Sequence, residues 1–396
     1  MANDRQTVVL ITGCSSGIGL KLAIHLANDT KKQFYVIATM RNLNKKEQLE
    51  AAAGDTLNKT LHIRQLDVCS DESVTECLNS IQDKRVDILV LQVKQRHARE
   101  FLEAWHSNHN AINKHIDLDA VYQPLRKRTG NDITTNPRNP IQEKDINRKQ
   151  KKTASLHLEV TTDDVTKPVN NAGIGKIGPI ESLSIREMKS IFDTNFFGAV
   201  RIIKAVLPDM KRRRSGHIVM MSSVMGLQGV IFNDVYAASK FAMEGFCESL
   251  AVQLLKFNIY VSMIEPGPVN TEFEMKLMDE VSHSTFPGTD SETVQFFKDV
   301  YLPASRDIFA TMGQTPDTIA EATIKVIKME RPVFRYQTNI LYTPLTAMKY
   351  ADDTGNMSIR MFYNLLFNHG TCFKISLSCL RIVTCSWFRS GAVSPN

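Results

Sequence analysis

Three features of the sequence predict an α/β fold built on a doubly wound parallel sheet: short β-rich runs alternating with helical patterns, strands that are apolar throughout, and a glycine-rich turn joining the first strand to the first helix. Parallel strands need crossover connections and are covered on both faces, so they read as continuous apolar runs. Residues 8–12, 34–38, 61–66 and 86–90 fit that description, with helices expected from about Ile18 and about Glu72. The rhythm resumes after Asn170: a long amphipathic helix up to Arg214, a strand at 217–221, a helix over 235–255 and a strand at 259–264. Residues 5–90 and 170–340 are therefore expected to form one Rossmann-like domain.

Residues 91–169 break the pattern, being rich in Asn, Lys, Arg, Thr and Asp and poor in apolar periodicity. Such a composition buries too little apolar surface to offset the entropy of ordering, so a disordered surface insertion is expected. A small subdomain begun by a helix at 101–105 is the alternative. The stretch leaves from the carboxyl end of a central strand, and retained unspliced coding sequence would give the same pattern. Residues 341–396 form a tail that is apolar with few charges over 361–388, where Cys372, Cys379 and Cys385 lie. Their separations of seven and six residues do not suit zinc, and no metal is expected. They suit an S-palmitoylated interfacial segment on the cytosolic face of a membrane, with Lys211, Arg212, Arg213 and Arg214 either adding attraction to anionic lipid or forming only a solvated helix end.

The 396 residues with 43% hydrophobic content support a sizeable core. A net charge of +6, spread among acidic residues, gives no reason to expect a nucleic-acid partner. Seven cysteines, an odd number without a C-x-x-C pair, fit a reducing, cytosol-facing compartment. Met1 leads directly into the first strand, so no secretory leader is expected, and no uncharged apolar run of about 18 residues predicts a spanning helix.

The turn Thr12-Gly13-Cys14-Ser15-Ser16-Gly17-Ile18-Gly19 lies between a strand and a helix, the context in which backbone N–H groups at a helix N-terminus cradle a pyrophosphate. An ordinary strand-to-helix turn is the bland reading. The second strand ends at Ala38-Thr39-Met40-Arg41, where selectivity for NAD would call for an acidic residue. The Arg41 guanidinium suits a 2′-phosphate, with Ser15 or Ser16 adding a hydroxyl, so NADP(H) is the expected cofactor. A solvated arginine is the alternative. Asp67 either accepts from an adenine amino group or caps the next helix.

Tyr236 and Lys240, four apart in a helical pattern, share one face. A phenol titrates near pH 10 and exchanges protons poorly at neutral pH unless a cation stabilises its phenolate, which Lys240 is placed to do. Ser223, just after a strand, offers a hydroxyl for a substrate oxygen. A surface pair at i,i+4 would be the uneventful explanation of the Tyr and Lys.

Thr12 to Gly19, Asn170-Asn171-Ala172-Gly173, Asn195, Ser223, Tyr236-Ala237-Ala238-Ser239-Lys240 and Pro266-Gly267 occur in an order that resembles the short-chain dehydrogenase/reductase family. Residues 193–201, 210–214, 220–268 and 301–306 look most like its branch acting on retinoids and steroids. The resemblance covers 5–90 and 170 to about 345. It implies hydride transfer between nicotinamide C4 and the substrate carbon, with Tyr236 moving the proton, Ser223 orienting the carbonyl and Lys240 also holding the nicotinamide ribose. It further implies that Asn195 anchors a relay water, that Asn171, Ala172 and Gly173 line the adenosine-side ribose, that Val269 and Thr271 line the carboxamide, and that Pro266 and Gly267 also bind the cofactor. The substrate it implies is lipophilic: all-trans-retinal, reduced to the alcohol, or alternatively a steroid 17-ketone. A homodimer and a place in photoreceptor outer segments accompany that implication. Residues 273–312, with Phe273, Met275, Leu277, Met278, Phe286, Phe296, Phe297, Tyr301 and Leu302, are expected to form an apolar flap over the substrate, or alternatively to pack the domain, His283 being the sole histidine there. From a different class comes a catalytically dead dinucleotide-binding scaffold whose site is spoiled by residues 91–169.

Overall fold

In the computed structural model, β1 (Thr7–Ile11) pairs in parallel with β2 (Phe34–Met40) on one side and β4 (Ile88–Leu91) on the other. Adding β3 (Leu61–Gln65), β5 (Gly216–Met221), β6 (Ile259–Glu265) and β7 (Arg335–Gln337) completes a seven-stranded parallel sheet in the order β3-β2-β1-β4-β5-β6-β7. Residues 5–81, 85–92, 177–364 and 367 are described. The chain divides into a unit of 1–96 with 172–396 and a unit of 97–171; the second, with the insertion read at 91–169, lies outside the described residues apart from Leu91 and Gln92, as does the cysteine-bearing tail.

Alternation along each strand splits the core into two layers. Val9, Ile11, Val36, Ala38, Ile88 and Val90 face a layer completed by α1 (Gly17–Ala27), α2 (Glu47–Ala53) and α10 (Pro316–Ile327). Leu10, Ile37, Leu89, Leu91, Ile218 and Met220 face the opposite layer, formed by α3 (Asp71–Asn79), α5 (Gly198–Arg213) and α6 (Asp234–Leu255). Burial on both faces is why these strands read as unbroken apolar runs.

Local chemistry sets the helix ends. Ser70 accepts from Ser73 N and opens α3, and Ser184 with Glu187 forms a reciprocal capping box at α4 (Ile185–Phe192). The long helix expected up to Arg214 is interrupted: a π-helical turn, Asp193–Phe197, separates α4 from α5. Arg214 ends α5 in the left-handed region, φ 53°. Strand β7, three residues long, carries no apolar run to announce it.

Beyond β6 lie α7 (Glu272–Ser282), α8 (Ser291–Phe296), a π-helical turn (Phe297–Tyr301), α9 (Leu302–Met312), α11 (Thr343–Ala351) and α12 (Asn356–Tyr363). Among the described residues no helix is long and apolar enough to cross a membrane. Much of the basic run at the end of α5 has work within the fold: Arg213 bonds Asp209, Asp87 and Val86 O, and Arg214 bonds Lys256 O.

Candidate active site

Strand order reverses at β1, whose neighbours β2 and β4 lead to opposite ends of the sheet, so a crevice opens at the carboxyl ends of these strands. The glycine turn sits there. Gly13 (φ 70°) and Gly17 (φ 62°) take left-handed conformations that side chains resist. At Gly19 a Cβ would stand 2.6 Å from Gly13 O and 2.7 Å from Gln92 Oε1, so only glycine lets the first turn of α1 close on the loop. Thr12 pins the turn to β4 by donating through Oγ1 to Gln92 O (2.7 Å) and accepting from Gln92 N (2.8 Å). Ser15 is half-buried, Ser16 occupies the N-cap position of α1, and Ile18 is buried beneath. Substituting valine at Gly19 should force loop and helix apart, raising the NADPH dissociation constant at least about 30-fold, roughly the 2 kcal/mol expected of an overpacked site; fluorescence titration of the cofactor, alongside the melting temperature, measures it.

Arg41 follows the last residue of β2, its carbonyl accepting from Gln65 Nε2 (3.0 Å). Asp67 follows β3 by two residues. Its Oδ1 accepts from Cys69 N (3.0 Å), while Ser70 caps α3, so the helix-cap alternative for Asp67 does not hold. Asn171, Ala172 and Gly173 lie outside the described residues.

Ser223 leaves β5 after Ser222, accepts from Met225 N (3.1 Å) and donates to Pro266 O (3.5 Å), which ties it to the loop after β6. Its hydroxyl also acts on the Tyr236 phenol, favouring the ionised form. Tyr236 and Lys240 lie on one face of α6, the ammonium 5.6 Å from the phenol ring centre. Lys240 Nζ donates to Met221 O (2.9 Å), reaching back to the end of β5. Burial pushes the Tyr236 phenol above its ordinary 10, the charge of Glu274 adds to the rise, and the Ser223 hydrogen bond opposes it. Burial also brings Lys240 down to about 8 against the pull of Glu244. The pair is thus brought together as the spacing implies, but burial, not the ammonium, sets the phenol in the free chain.

The π-helical turn between α4 and α5 carries Asn195 inward to full burial. Asn195 Nδ2 donates to Ser239 Oγ (3.0 Å), and Ser239 Oγ donates to Tyr236 O (2.7 Å). Asn195 Oδ1 is buried with no protein partner, a vacant acceptor of the kind a water or ligand satisfies.

Pro266, Gly267, Val269 and Thr271 follow β6 along the same crevice. A Cβ on Gly267 would meet the Tyr342 ring at 2.9 Å. Val269 bridges to Gln314, and Thr271 caps α7 by accepting from Glu274 N (3.3 Å). Glu274 was missed in the sequence. Its carboxyl is raised to about 7 by burial and acts on Tyr236; the Thr-x-x-Glu spacing from Thr271 was the available signal.

Several residues of the expected flap pack instead into a separate buried apolar cluster. Ile177, Phe232, Leu277, Val281, Phe286, Phe297, Tyr301 and Leu302 pack together, with Phe296 partly buried against them. Phe232, at φ 61°, immediately precedes α6, and its neighbour Asn233 donates through Nδ2 to Tyr301 Oη (2.7 Å). This cluster is therefore fastened three residues before Tyr236. Met278 is also buried, whereas the side chains of Phe273 and Met275 lie outside what is described. His283 is exposed and bonded to Asp279 O (2.8 Å). No cluster of metal-binding side chains occurs among the described residues.

The chain spans 98% of, and is 47% identical over 387 residues to, retinol dehydrogenase 8 of Bos taurus, 98% of which is matched. The Homo sapiens protein of that name is 48% identical, with 94% of each chain covered. 17-beta-hydroxysteroid dehydrogenase type 1 of Homo sapiens is 33% identical, covering 91% of this chain and 86% of that protein. The fold is similar to a solved structure of ElxO with NADP bound (TM-score 0.52, 19% identity, 86% of this chain and all of that one). It is also similar to an actinorhodin polyketide ketoreductase variant with NADPH (TM-score 0.54, 19% identity, 85% and 97%). The family model described as short chain dehydrogenase matches residues 7–119 and 139–282, and this chain belongs to that family of oxidoreductases.

Proposed function

We propose that this protein reduces all-trans-retinal to all-trans-retinol with NADPH. The observation that carries the choice is the 47–48% identity, over nearly the whole length, to two proteins named retinol dehydrogenase 8, against 33% to the steroid enzyme. The residues present fit the dinucleotide. The Gly13, Ser15, Ser16, Gly17, Ile18, Gly19 turn leaves a cradle that a Cβ at Gly19 would close. Arg41 would hold the 2′-phosphate, Asp67 the adenine, Tyr236 and Lys240 the nicotinamide ribose, and Pro266, Gly267, Val269 and Thr271 the carboxamide side. When bound, NADPH supplies the hydride from nicotinamide C4.

The side chains do the rest by position and charge. The Ser223 hydroxyl hydrogen-bonds the carbonyl oxygen of the substrate. The Tyr236 hydroxyl gives its proton to that oxygen as the carbon accepts hydride, and the Lys240 ammonium stabilises the phenolate left behind. Asn195 Oδ1 receives a water through which the proton is replaced. A phenol raised by burial starts each cycle protonated, which favours reduction. The apolar cluster that includes Phe232, next to Asn233 at the N-cap of the catalytic helix, supports a long apolar substrate better than a polar one.

Incubating purified protein with NADPH and equimolar all-trans-retinal and estrone decides the substrate. Retinol as the dominant product is expected; estradiol as the dominant product, or no product from either, defeats the reading. Replacing Arg41 with Glu should raise KM for NADPH about 10- to 100-fold, the worth of a charge-assisted pair of about 1.5–3 kcal/mol, and leave NADH turnover unchanged or improved. Parallel initial-rate measurements with the two cofactors check this.

A further inference from the structure

Behind Lys240 lies a group of charges that the reaction above does not use. Glu244, one helical turn further along α6, is 4% exposed, and Glu265, at the end of β6, is fully buried. Both bind a single nitrogen of Arg335 on β7: Nη1 donates to Glu244 Oε2 (2.7 Å) and to Glu265 Oε1 (3.1 Å). The other nitrogen, Nη2, donates to the exposed Glu248 (3.2 Å). The remaining oxygens, Glu244 Oε1 and Glu265 Oε2, are buried without a protein partner, as is Ser222 Oγ. A Cβ at Gly226 would meet Ser222 Oγ at 2.8 Å and Glu244 Cγ at 3.0 Å, so this group presses directly on the turn that carries Ser223.

Two buried carboxylates facing one guanidinium cannot both be charged cheaply. We propose that Glu244 is a positioning residue for the catalytic centre: its carboxylate, held by Arg335, keeps Lys240 an ammonium, while Glu265 carries the one proton that the two acids share. The charges around the pair agree. Glu265 is pushed up to about 7 by burial and then by the charge of Glu244, against the pull of Arg335. Glu244 is also raised by burial, but it makes the shorter bond to Arg335, 2.7 Å against 3.1 Å for Glu265, and lies one helical turn from Lys240, so it is the member that stays ionised. The other groups facing it are Cys247 and Glu248 on its own helix, and Tyr350 of α11 acts on Arg335. Of these charges, Glu244 is the one that raises Lys240.

The inference rests on the proposed reduction only for its kinetic consequence, so its test reads Lys240 directly. In full-length protein carrying 13C-labelled lysine, the Lys240 Cε resonance, assigned by its loss in Lys240→Arg, is titrated with pH. Glu244→Gln should lower the midpoint by about one pH unit, the scale of a close opposite charge, and Glu265→Gln should leave it within a few tenths. Glu244→Met, without an amide to disturb the packing, should repeat the first result, and Glu244→Asp should return most of the shift. The basic limb of retinal reduction should move with the midpoint. Equal shifts in Glu244→Gln and Glu265→Gln, or none in either, would overturn the proposal. Absence of retinal turnover would defeat the proposed function alone and leave the titration to decide this one.

Discussion

Tyr236→Phe is expected to cut kcat for the proposed retinal reduction about 10³-fold while NADPH binding changes less than about threefold. The loss is the usual worth of a placed general acid, about 10²–10⁴-fold. Phenylalanine keeps the ring and removes only the hydroxyl on which Ser223 acts. Ser223 retains its bonds to Met225 N and Pro266 O, so the turn keeps its shape. The melting temperature should accordingly stay within a few degrees. Single-turnover rates with NADPH prebound separate the chemical step from binding, and a kcat within tenfold of the wild type would remove Tyr236 from the role of acid.

Lys240→Met should lower kcat about 10²- to 10³-fold for a different reason. The phenolate formed as Tyr236 gives up its proton would then sit in a buried crevice without a cation, and a buried charge lacking its partner is costly. Methionine preserves most of the packing of the aliphatic stem, but Met221 O loses its donor. Because Lys240 is held near 8, the wild-type reductive rate should fall as pH rises through about 8, where the ammonium is lost. The sign follows from the depressed value: charge is present below about 8 and absent above it. In Lys240→Met that limb should vanish, leaving a rate that is low and flat across the same range. Rate profiles over roughly pH 6 to 10, which spans that midpoint, display both.

Much of this architecture could be read from residues because its physics is local. Strands buried on both faces must be apolar throughout, which is how β1, β2 and β4 to β6 declare themselves. The glycine turn is legible because left-handed backbone at Gly13 and Gly17 and the contact at Gly19 tolerate little else. Tyr236 and Lys240 share a face by helical period alone. What escaped notice depends on packing between distant segments. The π-helical turn that buries Asn195 leaves no spacing signature, since Asp193 to Phe197 look like any helical run. Arg335 reads as a surface charge on a segment too short to be seen as a strand, yet it binds Glu244 and Glu265, ninety-one and seventy residues away. Glu274 reads as one of several helix acids until α7 folds it toward Tyr236.

The displacement of the phenol by burial marks the point at which sequence logic was incomplete. Spacing says that an ammonium lies near a phenol; it does not say that the surroundings raise the phenol first. The protein's task is then to bring Tyr236 back within reach of neutral chemistry when dinucleotide and substrate are in place, and Lys240 is the group available to do it. An opposite charge at close range is worth roughly one to three pH units.

Ultraviolet difference titration of the NADP+ complex, wild type minus Tyr236→Phe, reports ionisation of that phenol alone. Carried out also in the Lys240→Met background, it should place the midpoint at least about one pH unit higher without the ammonium. Identical midpoints with and without Lys240 would contradict the electrostatic pairing on which the proposed reaction depends.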